Sequence, residues 1–168
     1  MPKLIRILLV TAVALIGVAA IFFFSDQSGT DSHNASKAVA EKTAERILEM
    51  SPTAKYDQNV VNTVSGALDY PIRKLAHLFI YFMLGLLFYT GLRFVLQEKF
   101  RPGYAFFVIL LVFLVACADE INQYFSGGRG ASFSDVIIDT VGGALGSYFF
   151  HIIKDFISHL KSLFSRRS

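Results

Sequence analysis

Residues 104–124 read YAFFVILLVFLVACADEINQY, and the contrast between the two halves of this stretch decides the fold. From Tyr104 to Ala118 there is no charged side chain. A hydrocarbon core about 30 Å thick needs about 20 helical residues, so this apolar part is too short to cross alone. At 1.5 Å per residue the helix has to run on through Asp119, Glu120 and Gln123 to reach the far surface near Tyr124. A membrane helix is therefore expected to carry two acids and an amide at one end. Asp119 then lies about 7–8 Å below the end of its helix. An ionisable group at such depth is costly unless it faces protein or water and finds partners.

Outward from this segment the chain repeats the pattern. The 168 residues are 54% apolar and include 17 phenylalanines, with a mean hydropathy of +0.50, more apolar than soluble domains usually are. Leu4–Phe24 forms a first span, interrupted only by Arg6. A secretory signal has an apolar run of about 7–15 residues and small residues for cleavage, whereas this run is longer and ends in Phe22-Phe23-Phe24, so a retained anchor is expected. Leu75–Leu96 forms a second span, and Asp135–Ile153 a fourth that contains Asp139. The fold class predicted is all-α, a polytopic membrane bundle of four transmembrane helices (about 4–24, 75–96, 104–124 and 135–153) with short amphipathic interfacial helices, in a single domain over residues 1–168. Residues 25–72 form the outer connection, far longer than the usual 4–6 or so residues. Within it, Ala40, Ala44, Ile47 and Leu48 make one helical stripe, and Val60, Val61, Val64 and Leu68 a second after Ser51-Pro52. Two short amphipathic helices on the membrane surface, or across the mouths of the spans, are expected. In the tail, residues 154–168, Phe156, Ile157, Leu160 and Phe164 alternate with Lys161, Arg166 and Arg167, as in a cytoplasmic interfacial helix.

Four spans place Lys3, Arg6, Arg93, Lys99, Arg101, Lys154, Lys161, Arg166 and Arg167 on one side. The positive-inside rule then makes both termini cytoplasmic. Against this stand Lys37, Lys42, Arg46 and Lys55 in the long outer connection, and Arg73 and Lys74 at the next helix entry. The net charge is only +3 and the basic residues cluster at span ends, so nucleic-acid binding is not expected. The single cysteine, Cys117, cannot form an internal disulfide or a sulfur metal site, and reads as a packing residue.

With that topology the polar residues converge on the outer face. Arg73, Lys74 and His77 share a helix flank at the head of span two, with Tyr81 one turn deeper. Asp119, Glu120 and Gln123 close span three, and Asp135 and Asp139 open span four. The loop between them, residues 126–132, contributes Arg129 and Ser132, with Gly127, Gly128 and Gly130 permitting a tight turn and an anion-holding backbone. A partly dry pocket of opposite charges, with perturbed protonation of His77 and one carboxylate, is expected. Asp135 is equally well explained as a helix cap, and Arg73 and Lys74 have the alternative of interfacial anchors. Lower in span four, Gly142 and Gly146 form a small-xxx-small pair that admits a neighbouring helix closely.

Taken in order, these motifs resemble the VanZ-like family. Phe24-Ser25-Asp26-Gln27 is similar to an F-S-x-Q after the first span, Arg73-Lys74-Leu75-Ala76-His77 to R-K-x-x-H, and Asp119-Glu120-Ile121-Asn122-Gln123-Tyr124-Phe125 with Gly128-Arg129, Ser132 and Asp135 to D-E-x-x-Q-x-F…G-R…S…D. The likeness covers essentially the whole chain. Asp139 departs from it, where the family pattern more often carries asparagine. The resemblance implies an integral protein of the bacterial membrane, with a founding member linked to low-level teicoplanin resistance. It implies no reaction.

Three classes of function fit these residues. In the first, the pocket binds or modifies a lipid head group or lipid-linked envelope precursor. His77, Asp119 and Glu120 would then serve as acid–base groups, and Arg73, Lys74, Gln123, Arg129, Ser132, Asp135 and Asp139 as ligand contacts. The acids alternatively offer oxygen ligands to a divalent cation. No nucleotide, hydrolase or H-E-x-x-H motif is present, and no other cofactor is expected. In the second, the charges pair internally and the outer connection docks a partner. The third, an ion or proton pathway, is disfavoured because the polar residues gather at one face.

Overall fold

The computed structural model describes residues 1–26, 29–50, 57–97, 102–126 and 132–165, with the side chains of 24–26, 29–33, 102, 126, 150 and 154–165 excepted. Five helices account for nearly all of these: α1 (Lys3–Asp26), α2 (Gly29–Glu49), α3 (Gln58–Leu96), α4 (Pro102–Ser126) and α5 (Phe133–Ser165). There is no strand among the described residues. Stretches long and apolar enough to cross a membrane occur at Lys3–Phe23, Gln58–Leu96 and Gly103–Phe125. As expected, α4 continues without interruption through Asp119, Glu120 and Gln123.

One expectation is corrected. The stripe around Val61 does not belong to a separate short helix. It is the N-terminal part of α3, which runs for 39 residues straight through Pro71 and is about 58 Å long at 1.5 Å per residue. Proline removes one helical hydrogen bond and crowds the carbonyl four residues earlier. Here Ala67 and Pro71 both face outward and are exposed, so no packed neighbour has to absorb the disturbance. The helix starts at Asp57, whose carboxylate accepts the Asn59 N–H at 2.9 Å, the ordinary capping chemistry of an orphan N-terminal donor. Helix α2 packs on this extension through Ala44 and Leu48 against Val61, Val64 and Leu68. Ile47, expected on the same stripe, is 49% exposed. The residues expected to form an interfacial tail helix continue α5 as far as Ser165.

On α4 small residues face inward and large ones face out: Ala105, Val108, Val112 and Ala116 are buried, while Phe106, Phe107, Leu110 and Leu114 are exposed. In lipid an exposed phenylalanine costs little, and helices associate through close packing of small side chains. Tyr81, Leu84 and Tyr89 of α3, Ile21 of α1 and Val136 of α5 complete this core.

Helix directions follow from matched contacts. α1 lies antiparallel to α3, with Gly17 beside Leu87 and Gly91 beside Val10, and the Arg6 guanidinium donates to the Phe94 carbonyl at 3.1 Å. That bond satisfies one of the orphan carbonyls at the C-terminus of α3. α3 and α5 run parallel and touch backbone to backbone. A Cβ placed on Gly142 would sit 2.4 Å from the Leu78 oxygen, on Gly146 2.0 Å from the Phe82 oxygen, and on Gly85 2.1 Å from the Gly143 oxygen. The glycine pair expected to admit a neighbour thus admits α3, and Gly85 on α3 answers it. Phe82 and Phe149 pack edge to face alongside, 5.3 Å between ring centres.

Candidate functional site

The close α3–α5 contact sets two rows of polar side chains in register, one turn at a time. Lys74 of α3 hydrogen-bonds and ion-pairs with Asp135 of α5. One turn deeper, His77 Nδ1 stands 3.6 Å from Asp139 Oδ1. One turn deeper again, the Tyr81 hydroxyl donates to Asp119 of α4 at 3.2 Å. Gln123, one turn along α4, donates to the same Asp119 oxygen at 3.1 Å. Glu120 accepts the backbone N–H of Ser132, the residue just before α5. The Ser132 hydroxyl in turn contacts Asp135 at 3.2 Å and Ser134 at 2.7 Å. Acids and bases from three helices therefore meet at one end of the bundle.

An open cavity of about 290 Å³ lies among them, lined by Tyr70, Arg73, Lys74, His77, Glu120, Gln123, Ser132 and Asp135. The predicted site residues fall into two tiers. Arg73, Lys74, His77, Glu120, Gln123, Ser132 and Asp135 line the cavity. Asp119 and Asp139, only 1% and 2% exposed, are outside that lining and brace it through Tyr81, Gln123 and His77. One oxygen of each of these two acids is buried without a hydrogen bond among the described residues. Arg129 lies outside the described residues. No group of three or more His, Cys, Asp or Glu that could hold a metal ion occurs among the described residues.

Tyr70 is the lining residue that sequence reasoning missed. It sits three and four residues before Arg73 and Lys74, the spacing that brings side chains onto one helix flank. Its ring centre is 6.0 Å from the Arg73 guanidinium carbon and 5.1 Å from Lys74 Nζ, within the range of cation–π attraction. Its signal was hidden because the helix was expected to begin beyond Pro71.

A sequence model of the VanZ/LLP1 family matches residues 9–154. The chain belongs to the VanZ/LLP1 family. The matched region of this VanZ/LLP1 protein holds all the cavity-lining residues and ends within α5. Comparison with curated proteins and with solved structures returned no match.

Chemically, the VanZ/LLP1 cavity offers two cations, a histidine, two carboxylates, an amide and two hydroxyl-bearing side chains within one water-reachable space. The cations and N–H donors suit phosphate, and the carboxylates and histidine suit hydroxyl or amine groups. Aromatic and aliphatic side chains flank this polar end of the bundle. Leu75 is 63% exposed, Phe125 79% and Phe133 71%.

Proposed function

We propose that this VanZ-like chain is a multi-pass protein of a bacterial cell membrane that crosses four times, with both termini cytoplasmic. α5 supplies the fourth crossing, and the cavity faces outward. In this reading the cavity binds or modifies a lipid head group or lipid-linked envelope precursor in the outer leaflet, and through it the protein contributes to glycopeptide tolerance, teicoplanin being the relevant drug. The observation that carries the reading is the cavity itself. Charged and polar side chains from three helices open to solvent at one end of an otherwise apolar bundle. Such groups within membrane helices are expensive and are retained for function or for pairing. Orientation rests on the lysines and arginines, Lys3, Arg6, Arg93, Lys99 and Arg101 among them, that flank the opposite ends of the helices.

Glu120 and His77 are the acid–base candidates that line the cavity, Asp119 orients Gln123 beside them, and Arg73 holds the anionic part. The test is Glu120→Gln in a strain whose teicoplanin tolerance depends on this protein, with membrane abundance measured in parallel. Tolerance is expected to fall at unchanged abundance, and full tolerance at normal abundance would overturn the role of Glu120.

A second reading, in which the outer hairpin of α2 and α3 docks a partner, draws on the exposed apolar side chains of Val39, Ile47 and Met50 on that hairpin. Deleting residues 30–68 separates the two readings: loss of tolerance with intact insertion and an intact lipid response favours docking. An ion pathway finds little support, because no Asp, Glu, Lys, Arg or His occurs over residues 102–118 or 140–150.

A further inference from the structure

Among the described residues, the charges around the cavity do not all cancel. Lys74 is paired with Asp135, and His77 stands against Asp139. Two lining groups have no charged partner among the described residues. One is Arg73, whose guanidinium stands over the Tyr70 ring. The other is Glu120, which is 8% exposed and accepts the Ser132 N–H. They come from different helices, α3 and α4, yet line one space. A cation and a carboxylate that line one small cavity without a charged partner among the described residues are complementary to a ligand that carries both signs.

Building on the head-group reading above, we propose that the ligand is a zwitterionic lipid head group with a primary ammonium beside a phosphate diester, as in phosphoethanolamine. Arg73 takes the phosphate as a planar donor. Glu120 takes the ammonium, and the Gln123 amide oxygen adds an acceptor, since its nitrogen is already given to Asp119. A purely anionic head group satisfies Arg73 but leaves a desolvated carboxylate unpaired beneath it, which is costly. A quaternary ammonium offers no N–H to the carboxylate, and a serine head group adds a second carboxylate opposite Glu120 and Asp135. Size points the same way. At about 290 Å³ the cavity lies at the lower edge of the roughly 300–1,000 Å³ typical of small-molecule sites, enough for a head group. Exposed Leu75, Phe125 and Phe133 provide apolar surface for the acyl chains.

The experiment uses the full chain purified in detergent, titrated with short-chain phosphatidylethanolamine, phosphatidylcholine and phosphatidylglycerol, with bound lipid counted by native mass spectrometry. Phosphatidylethanolamine is expected to bind about tenfold or more tightly than the other two, the worth of one hydrogen bond to a charged group. Glu120→Gln is expected to abolish that preference, and Arg73→Gln to weaken all three lipids. Equal binding of the three lipids to the wild-type protein, still sensitive to Arg73→Gln, would overturn the zwitterion while leaving head-group binding intact. Binding of all three that ignores both substitutions would overturn the head-group reading itself. Because the wild-type preference alone decides the first point, a variant that fails to fold does not blunt the test.

Discussion

Replacing Gly146 by alanine puts one methyl group where the structure has no room for it. The added Cβ would lie 2.0 Å from the Phe82 oxygen and 2.8 Å from the Leu86 nitrogen, whereas real Cβ contacts stay beyond 3.0 Å. Both neighbours are backbone, so no side chain can swing aside. α3 and α5 must part by about 1 Å, and overpacking of this kind costs about 1–3 kcal/mol. The separation would also lengthen the His77–Asp139 approach of 3.6 Å. Gly66 on the same α3 is the control, because a Cβ there meets nothing within 4 Å. In an exposed helical position alanine gains about 0.5–1 kcal/mol over glycine. The two variants should therefore differ by about 2–4 kcal/mol, or roughly 5–15 °C in Tm at about 2–4 °C per kcal/mol for a chain of this size. The chain has no tryptophan and a single cysteine, Cys117, which packs partly buried against the core. Heating in detergent with a thiol-reactive fluorogenic maleimide thus reports the opening of the bundle from one position. A Gly146→Ala protein that melts at or above the wild-type temperature would refute the close-contact argument.

Three further outcomes follow from individual contacts. Tyr81→Phe removes one of the two hydrogen bonds that described residues make to buried Asp119 and should cost about 1–3 kcal/mol, read as a lower Tm in the same maleimide assay. Breaking the pair between Lys74 and Asp135 with Lys74→Met or Asp135→Asn should each destabilise the protein. The double variant should lose less than the sum, with a coupling of about 0.5–3 kcal/mol in a double-mutant cycle; strict additivity would mean that the pair contributes nothing. Gln97 closes α3 in the left-handed region at φ 54°, where glycine belongs. Gln97→Gly should therefore raise stability by about 1 kcal/mol, and a lower Tm would show that its side chain matters more than its backbone.

The polar ends of the helices were legible in the sequence because spacing carries them. Arg73, Lys74 and His77 share a flank by their numbering alone, and the run from Tyr104 to Ala118 was too short to cross without Asp119 and Glu120. The glycine pair at 142 and 146 likewise announced a close neighbour. Pro71 hid the continuity of α3, because proline followed by two cations ends an apolar window whether or not the helix ends with it. The partner of the glycine pair was also hidden. Gly85 is a single glycine without spacing of its own, and only the parallel pairing of α3 and α5 places it against Gly143. The sorting of carboxylates into those that line the cavity and those that brace it depends on how far each helix is rotated about its axis. Adjacent Asp119 and Glu120 differ in this respect although both are buried.

The unbroken length of α3 has a mechanical side. Measured from Gly85, where α3 presses on α5, Lys74 lies about 16 Å up the axis and Gln58 about 40 Å. Were α3 to rock about that fulcrum by about 5°, the outer tip would swing about 3.5 Å and the cavity wall about 1.4 Å. The helix is thus a lever with its long arm outside the bundle, and α2, packed along that arm, adds stiffness to the handle.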